Sequence, residues 1–361
     1  MNNKMVRYVI GHILKIETGF MLIPLALSFF YHEDIIVKKA YFFTIILLLF
    51  SSILISKKIP DNQKIYAKEG LVIVSISWIA LSLFGALPFV FSKKIPSFID
   101  AFFETVAGFT TTGASVIANI EMIEKSLLFW IGFSHFIGGM GILVLALAIL
   151  PKSSNQSLHI MKAEVPGPSV GKMVAKISHN SKILYIMYIC ITIIIIILLK
   201  AGGMPFFDSI IHAFGTVSTG GANIKNNSVG FYNNTYIDFI LGMGMLLCAI
   251  NFNLFYALIL KNYKQVYKNE ELRAYLLIIC VSIIIICINI YPFYKSNIYM
   301  VRDVFFTVSS IITTTGYSTV NFNAWPTFSK TVLMILTFVG GCAGSTTGGI
   351  KVSRIVIVFK K

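Results

Sequence analysis

Eight apolar runs, at about 8–30, 40–56, 70–91, 127–150, 183–200, 236–260, 274–293 and 328–358, restrict what this chain can fold into. Each comes near the ~20 helical residues that ~30 Å of hydrocarbon requires. Inside a bilayer no water meets a bare N–H or C=O, so a spanning segment is a helix or part of a closed barrel. Runs this long favour helices. Composition agrees, since 56% of the 361 residues are hydrophobic and 12% charged, at a mean hydropathy of +0.81. A soluble domain is roughly 45–50% apolar. The reading is an all-α polytopic membrane protein.

A formal charge of +15 raises the question of nucleic acid, but the placement of the charges answers it. With Met1 inside, the interior segments hold most of the 30 basic residues: Lys4 and Arg7, Lys57 to Lys68, Lys152 to Lys182, Lys261 to Arg273, and Lys351 to Lys361. That follows the positive-inside rule and places both termini in the cytoplasm. The basic charge reads as topology and contact with anionic membrane lipid, with no nucleic-acid partner. Lys4 and Arg7 precede the first apolar run without a small-residue cleavage site, so the first helix is expected to be retained. Cys190, Cys248, Cys280, Cys287 and Cys342 form no CxxC pair, which argues against disulfides and zinc.

A threefold repeat organises the rest. DAFFETVAGFTTTGAS from Asp100, DSIIHAFGTVSTGGAN from Asp208 and DVFFTVSSIITTTGYS from Asp303 align without a gap, each aspartate preceding a glycine by 13 residues. One apolar span precedes each copy and another follows it, so the unit is span, short helix, polar strand, span. The aspartates are expected N-caps, opposing the positive helix end. About ten residues of helix are too few to cross, and the C-terminal end of such a half-helix favours a cation. Irregular backbone at membrane depth is tolerated where protein buries it or water reaches it. Gly113, Gly221 and Gly316 take positive φ at little cost, turning carbonyls to one side where they replace an ion's hydration shell. The alternative is a capped re-entrant turn whose threonines satisfy their own backbone; it suits one copy better than three in register.

These residues carry a family resemblance. Thr111-Thr112-Gly113-Ala114-Ser115, Thr219-Gly220-Gly221-Ala222-Asn223 and Thr314-Thr315-Gly316-Tyr317-Ser318, with FIGGMGILVLALAILP (136–151), AEVPGPS (163–169) and GGCAGSTTGGIKVSR (340–354), resemble the TrkH-type subunits of the Trk/Ktr/HKT superfamily of potassium transporters. Such proteins look like four fused potassium-channel units of outer helix, pore helix, filter and inner helix. The resemblance implies two N-terminal helices over 1–69, then pore repeats over 70–160, 161–268 and 269–361, giving about eight spans and three re-entrant pore helices. It makes Thr111, Thr112, Gly113, Thr219, Gly220, Gly221, Thr314, Thr315 and Gly316 the filter, with K+ as the transported ion and no cofactor. Two helices ahead of the first repeat favour TrkH over shorter KtrB-like members. Gly113, where sodium-permeable relatives carry serine, favours potassium. One shared glycine per strand, against two in a tetrameric channel, implies looser discrimination. A homodimer, gated by a cytosolic ring of TrkA-type nucleotide-binding subunits docking on 152–182 and 261–273 in a prokaryotic inner membrane, is also implied. No fourth filter follows, so a fourth repeat is expected to be absent, leaving a fragment, a split product or a shortened non-transporting subunit as alternatives.

GGCAGSTTGGIK has the glycine spacing of a phosphate loop, but Ile350 stands at the lysine position and no strand precedes it. Small residues inside an apolar span mark close helix packing or an interruption. By resemblance the third inner helix breaks below the filter, which makes Gly344, Ser345, Thr346, Thr347, Gly348 and Gly349 gate candidates, with plain helix packing the alternative. Gly138, Gly139 and Gly141 read as packing in the first inner helix. Glu104 and His212 are expected to make structural hydrogen bonds, and Lys15 and Glu17 to snorkel toward water. His12, His32, His135, His159 and His179 show no ligand spacing, and no nucleophile stands beside a base, so an enzyme has no support.

Overall fold

The computed structural model describes residues 1–58, 60–62, 65–141 and 177–360. Among them every regular element is helical. Residues 142–151, the AEVPGPS stretch and the basic loop up to residue 176 lie outside the described residues. The chain divides into two compact units, 1–186 and 187–361.

In the first unit α1 (Asn3–Phe30), α2 (Ile35–Ile55) and α3 (Ala67–Phe91) are long and apolar enough to cross a bilayer. They pack mutually, with α4 (Phe98–Phe109) against α3 and α5 (Lys125–Gly139) against α4 and α1. Polar anchors fix the loops between them. The Glu33 carboxylate accepts from the Ser126 N–H at 2.8 Å and from its hydroxyl, and Tyr41 donates to the Ser126 carbonyl at 3.0 Å. Fully buried Trp130 donates from Nε1 to the Gly85 carbonyl at 3.0 Å and meets Phe109 edge-on. Gly138 is a packing glycine, as read from sequence: a Cβ there would lie 2.1 Å from the Phe109 carbonyl oxygen. Lys15 is exposed as expected. Glu17, however, does not snorkel, since it faces inward and is 1% exposed, beside Gly85 of α3. Helix geometry explains the difference, because two residues rotate the side chain by more than half a turn.

α6 (Ile177–Ala201) carries the apolar span 183–201 and leads into the second unit. There α7 (Phe206–Val217) packs on α8 (Thr235–Cys248), α8 on α12 (Asn297–Ile312), and α12 on α11 (Glu270–Ile290) and α13 (Thr327–Val339). α14 (Val352–Lys360) rests on α11. Two expected spans are interrupted. The run 236–260 bends by 92° between α8 and α9 (Phe252–Ile259), which a short α10 (Tyr263–Tyr267) follows. The run 328–358 stops at Val339 and restarts at Val352. Hydropathy sums apolar character and does not register such breaks; the local signal in the first is Asn251, which caps α9 by accepting from the Asn253 N–H.

Candidate functional site

The three repeated segments close in one geometry. α4, α7 and α12 end in a turn whose three successive N–H groups return to the helix. Thr111, Thr219 and Thr314 donate to Gly108, Thr216 and Ile311 at 2.9, 3.1 and 3.0 Å. The next residues, Thr112, Gly220 and Thr315, donate to Ala107, Gly215 and Ser310 at 2.8, 3.0 and 3.0 Å. Gly113, Gly221 and Gly316 share those same acceptors at 3.5, 3.2 and 3.4 Å. This is a Schellman closure with threonine at the left-handed position. The threonines have φ of 54°, 52° and 56°, and the glycines two residues on have φ of 74°, 72° and 84°.

A left-handed β-branched residue costs about 1–2 kcal/mol, so three copies mark a backbone held against its preference. The consequence is chemical. The N–H groups are consumed inside the turn, while no carbonyl of Thr111–Gly113, Thr219–Gly221 or Thr314–Gly316 accepts a hydrogen bond among the described residues. Left-handed residues alternating with an ordinary one turn successive carbonyls to one side, a row of partial negative charge suited to a dehydrated cation.

The aspartates of the repeat are not N-caps. Ser97 and Pro205 occupy the cap positions of α4 and α7, placing Asp100 and Asp208 in the first turn, where their charge still opposes the helix dipole. α12 begins earlier, at Asn297 after Ser296 in the cap position, so Asp303 is mid-helix and binds Arg302 at 2.8 Å and Tyr294 at 3.0 Å. Each pore helix has taken up residues that precede its repeated motif. Helix lengths are accordingly 12, 12 and 16 residues.

Behind the turns lie braces that differ from copy to copy. In the first, the Glu104 carboxylate accepts from the Ser115 hydroxyl and the Val116 N–H, both at 3.0 Å, as the expected structural role requires. His212 stands at the equivalent place in the second; its Nδ1 bonds the Asp208 carbonyl at 2.8 Å and its ring lies between Tyr232 and Tyr317. In the third, the Ser310 hydroxyl donates to the Tyr317 carbonyl at 2.6 Å. The second and third turns meet directly. Buried Tyr317 donates to the Ala222 carbonyl at 2.6 Å and is 3.2 Å from that of His212. Gly221 lies so close to the third strand that a Cβ would sit 2.0 Å from the Thr315 oxygen. Sequence reading did not single out Tyr317; an aromatic in an otherwise small-residue strand was the available signal.

Gly344, Ser345, Thr346, Thr347, Gly348 and Gly349 all fall in the non-helical segment between α13 and α14. This loop docks on the break between α8 and α9. Cys342 donates to the Ala249 carbonyl at 2.9 Å, Thr346 reaches the Cys248 carbonyl through its hydroxyl at 3.2 Å, and the Gly344 carbonyl accepts from Phe252 at 3.1 Å. At its far end the Gly348 N–H donates to the hydroxyl of Thr314, the left-handed threonine of the third turn, at 2.9 Å. The two broken helices therefore complete each other's backbone hydrogen bonding, as irregular backbone within a membrane requires.

The comparisons with known proteins point the same way. Residues 37–361 match the family model described as TrkH, cation transport protein. The Trk system potassium uptake proteins TrkH of Salmonella typhimurium and TrkG of Escherichia coli are each 36% identical over 82% of this chain, which covers 63% and 62% of their respective lengths. An uncharacterized cation transporter of Methanocaldococcus jannaschii is 31% identical over 98% of the chain and 71% of its own length. The crystal structure of the potassium transporter TrkH from Vibrio parahaemolyticus superposes with a TM-score of 0.88 at 30% identity, covering 99% of this chain and 75% of that one. With the family model spanning most of the chain and the architecture shared nearly throughout, this chain belongs to the TrkH family of cation transport proteins.

Proposed function

We propose that this chain conducts potassium ions inward across a prokaryotic inner membrane as the membrane subunit of a Trk-type system. The observation that carries this reading is the recurrent turn in which threonine and glycine are left-handed and the intervening carbonyls accept no hydrogen bond among the described residues. The carbonyls of Thr111–Gly113, Thr219–Gly221 and Thr314–Gly316 act as filter oxygens, exchanging an ion's water for backbone dipoles. Pore repeats at 70–160, 161–268 and 269–361 follow two N-terminal helices at 1–69, with both termini cytoplasmic. Relatives named as potassium uptake proteins of the Trk system support the choice of ion.

Residues 344–349 form the gate. The support is the hydrogen bond from the Gly348 N–H to the hydroxyl of Thr314, at 2.9 Å, beside the third turn. The unit works as a homodimer under a cytosolic TrkA-type nucleotide-binding subunit, for which the lysines of 261–273 supply a basic docking face on the described part of the chain. Movement is passive or coupled to another ion, and no cofactor takes part.

Expression in a cell deficient in potassium uptake tests the proposal. Growth at low potassium is expected, together with a relative gain of sodium uptake in Gly113→Ser. Failure to rescue by a chain that reaches the membrane would overturn it, and unchanged selectivity in Gly113→Ser would remove Gly113 from the filter. Neutralising the lysines of 261–273 should weaken binding of the regulatory subunit; unchanged binding excludes that face.

A further inference from the structure

We propose that Glu271 is the latch that holds the gate loop in its docked position. The inference rests on the reading of 344–349 as the gate and adds the element that controls it. Glu271 is the second residue of α11, a rigid 21-residue helix capped by Asn269. One of its carboxylate oxygens, Oε1, accepts two backbone hydrogen bonds, from Ala343 at 2.7 Å and from Ser353 at 3.0 Å. These donors stand on opposite shoulders of the loop, Ala343 just before residues 344–349 and Ser353 four residues after them. A single side chain thereby ties together both broken ends of the interrupted helix.

The chemistry favours an anion at this point. Ser353 is in the first turn of α14, whose free N–H groups form a positive end, so the carboxylate also serves as that helix's external cap. Bonds to an ionised acceptor are about twice as strong as neutral ones. The loop's ties to the break between α8 and α9 and to the third turn are neutral, backbone to backbone at Cys342–Ala249 and Phe252–Gly344 and hydroxyl to backbone at Thr346–Cys248 and Thr314–Gly348, while the Lys351 ammonium donates to the Thr347 carbonyl within the loop itself. Within the loop Lys351 holds a left-handed φ of 80°, which costs a residue with a side chain, while Gly340, Gly344 and Gly349 take φ of 71°, 74° and 81° at little cost. A loop whose two shoulders are held on α11 by one carboxylate loosens when that carboxylate is moved. Glu271 sits directly after the cationic segment 261–269, so a displacement of that segment reaches the loop through α11. The Glu270–Lys360 ion pair, at 2.5 Å but exposed, links the far end of α14 to the same helix and adds little.

The test uses the native reporter Cys342, which is 1% exposed in the docked loop. The full chain, with its other four cysteines replaced by serine or alanine, is reconstituted in vesicles. Labelling of Cys342 by a water-soluble thiol reagent is then measured beside potassium flux. Glu271→Ala is expected to raise both by ~10-fold or more, from the loss of two charge-assisted bonds. Glu271→Gln keeps an acceptor oxygen at the same reach without the charge and should restore part of the protection. Native labelling rates in Glu271→Ala would overturn the latch, as would a Gln variant no better protected than Ala. If labelling rises while flux does not, the latch stands and the gate reading fails. If shortening the 344–349 loop raises flux while Glu271→Ala changes neither quantity, the gate stands and the latch fails.

Discussion

Adding one methyl group at two glycines of the repeated turns separates backbone strain from close approach. Gly221 and Gly316 have similar left-handed φ, 72° and 84°, so alanine at either costs about 1–2 kcal/mol in strain. Their surroundings differ. Around Gly316 a Cβ would find nothing within 4 Å, whereas at Gly221 it would lie 2.0 Å from the Thr315 carbonyl oxygen. That neighbour is backbone, with no rotamer to escape into, and overpacking of this kind costs about 1–3 kcal/mol more. Gly316→Ala is therefore expected to cost about 1–2 kcal/mol and Gly221→Ala about 2–5 kcal/mol. Thermal unfolding of the purified full chain should rank them in that order. Flux in vesicles should follow, because the second and third turns must separate to admit the Gly221 methyl. Equal destabilisation by the two substitutions would refute the close apposition of these strands.

Tyr317→Phe removes the bond to the Ala222 carbonyl and leaves that oxygen buried without its partner, at a cost of about 1–3 kcal/mol. Its check is a drop in thermal midpoint accompanied by weaker selection of potassium over sodium. Glu104→Ala should cost more than Glu104→Gln, since the amide retains an acceptor for Ser115 or Val116; the difference, about 1–2 kcal/mol, is measurable by thermal unfolding. Gly138→Ala drives a methyl against the Phe109 carbonyl at the end of α4, and about 1–3 kcal/mol of destabilisation with reduced flux is expected.

The repeated turns were legible because their requirement is local. A Schellman turn followed by a left-handed position needs glycine at a fixed place, and the repeat displayed that need three times. The starts of the pore helices were less legible. Aspartate is a good cap, but Ser97 was a competing one just upstream, and α12 continued back to Asn297 because nothing between there and Asp303 stops a helix. The bend between α8 and α9 was hidden for a different reason. Its freed carbonyls, those of Cys248 and Ala249, are satisfied by residues almost a hundred positions away in the 340–351 loop, a pairing that no window of sequence displays. The same separation concealed Glu271, which looks like an ordinary acidic residue in a first helical turn and becomes distinctive only through its two distant donors. Glu17 was misplaced because depth along a helix is readable from sequence, while the direction a side chain faces depends on its neighbours.

The carbonyl rows can be tested directly by soaking crystals of the full chain in thallium(I), an anomalously scattering mimic of potassium, and mapping the scattering. Peaks beside the main-chain oxygens of Thr111–Gly113, Thr219–Gly221 and Thr314–Gly316, lost on competition with potassium, are the predicted result. Thallium bound only at carboxylates or elsewhere on the chain, with these oxygens unoccupied, would contradict the account.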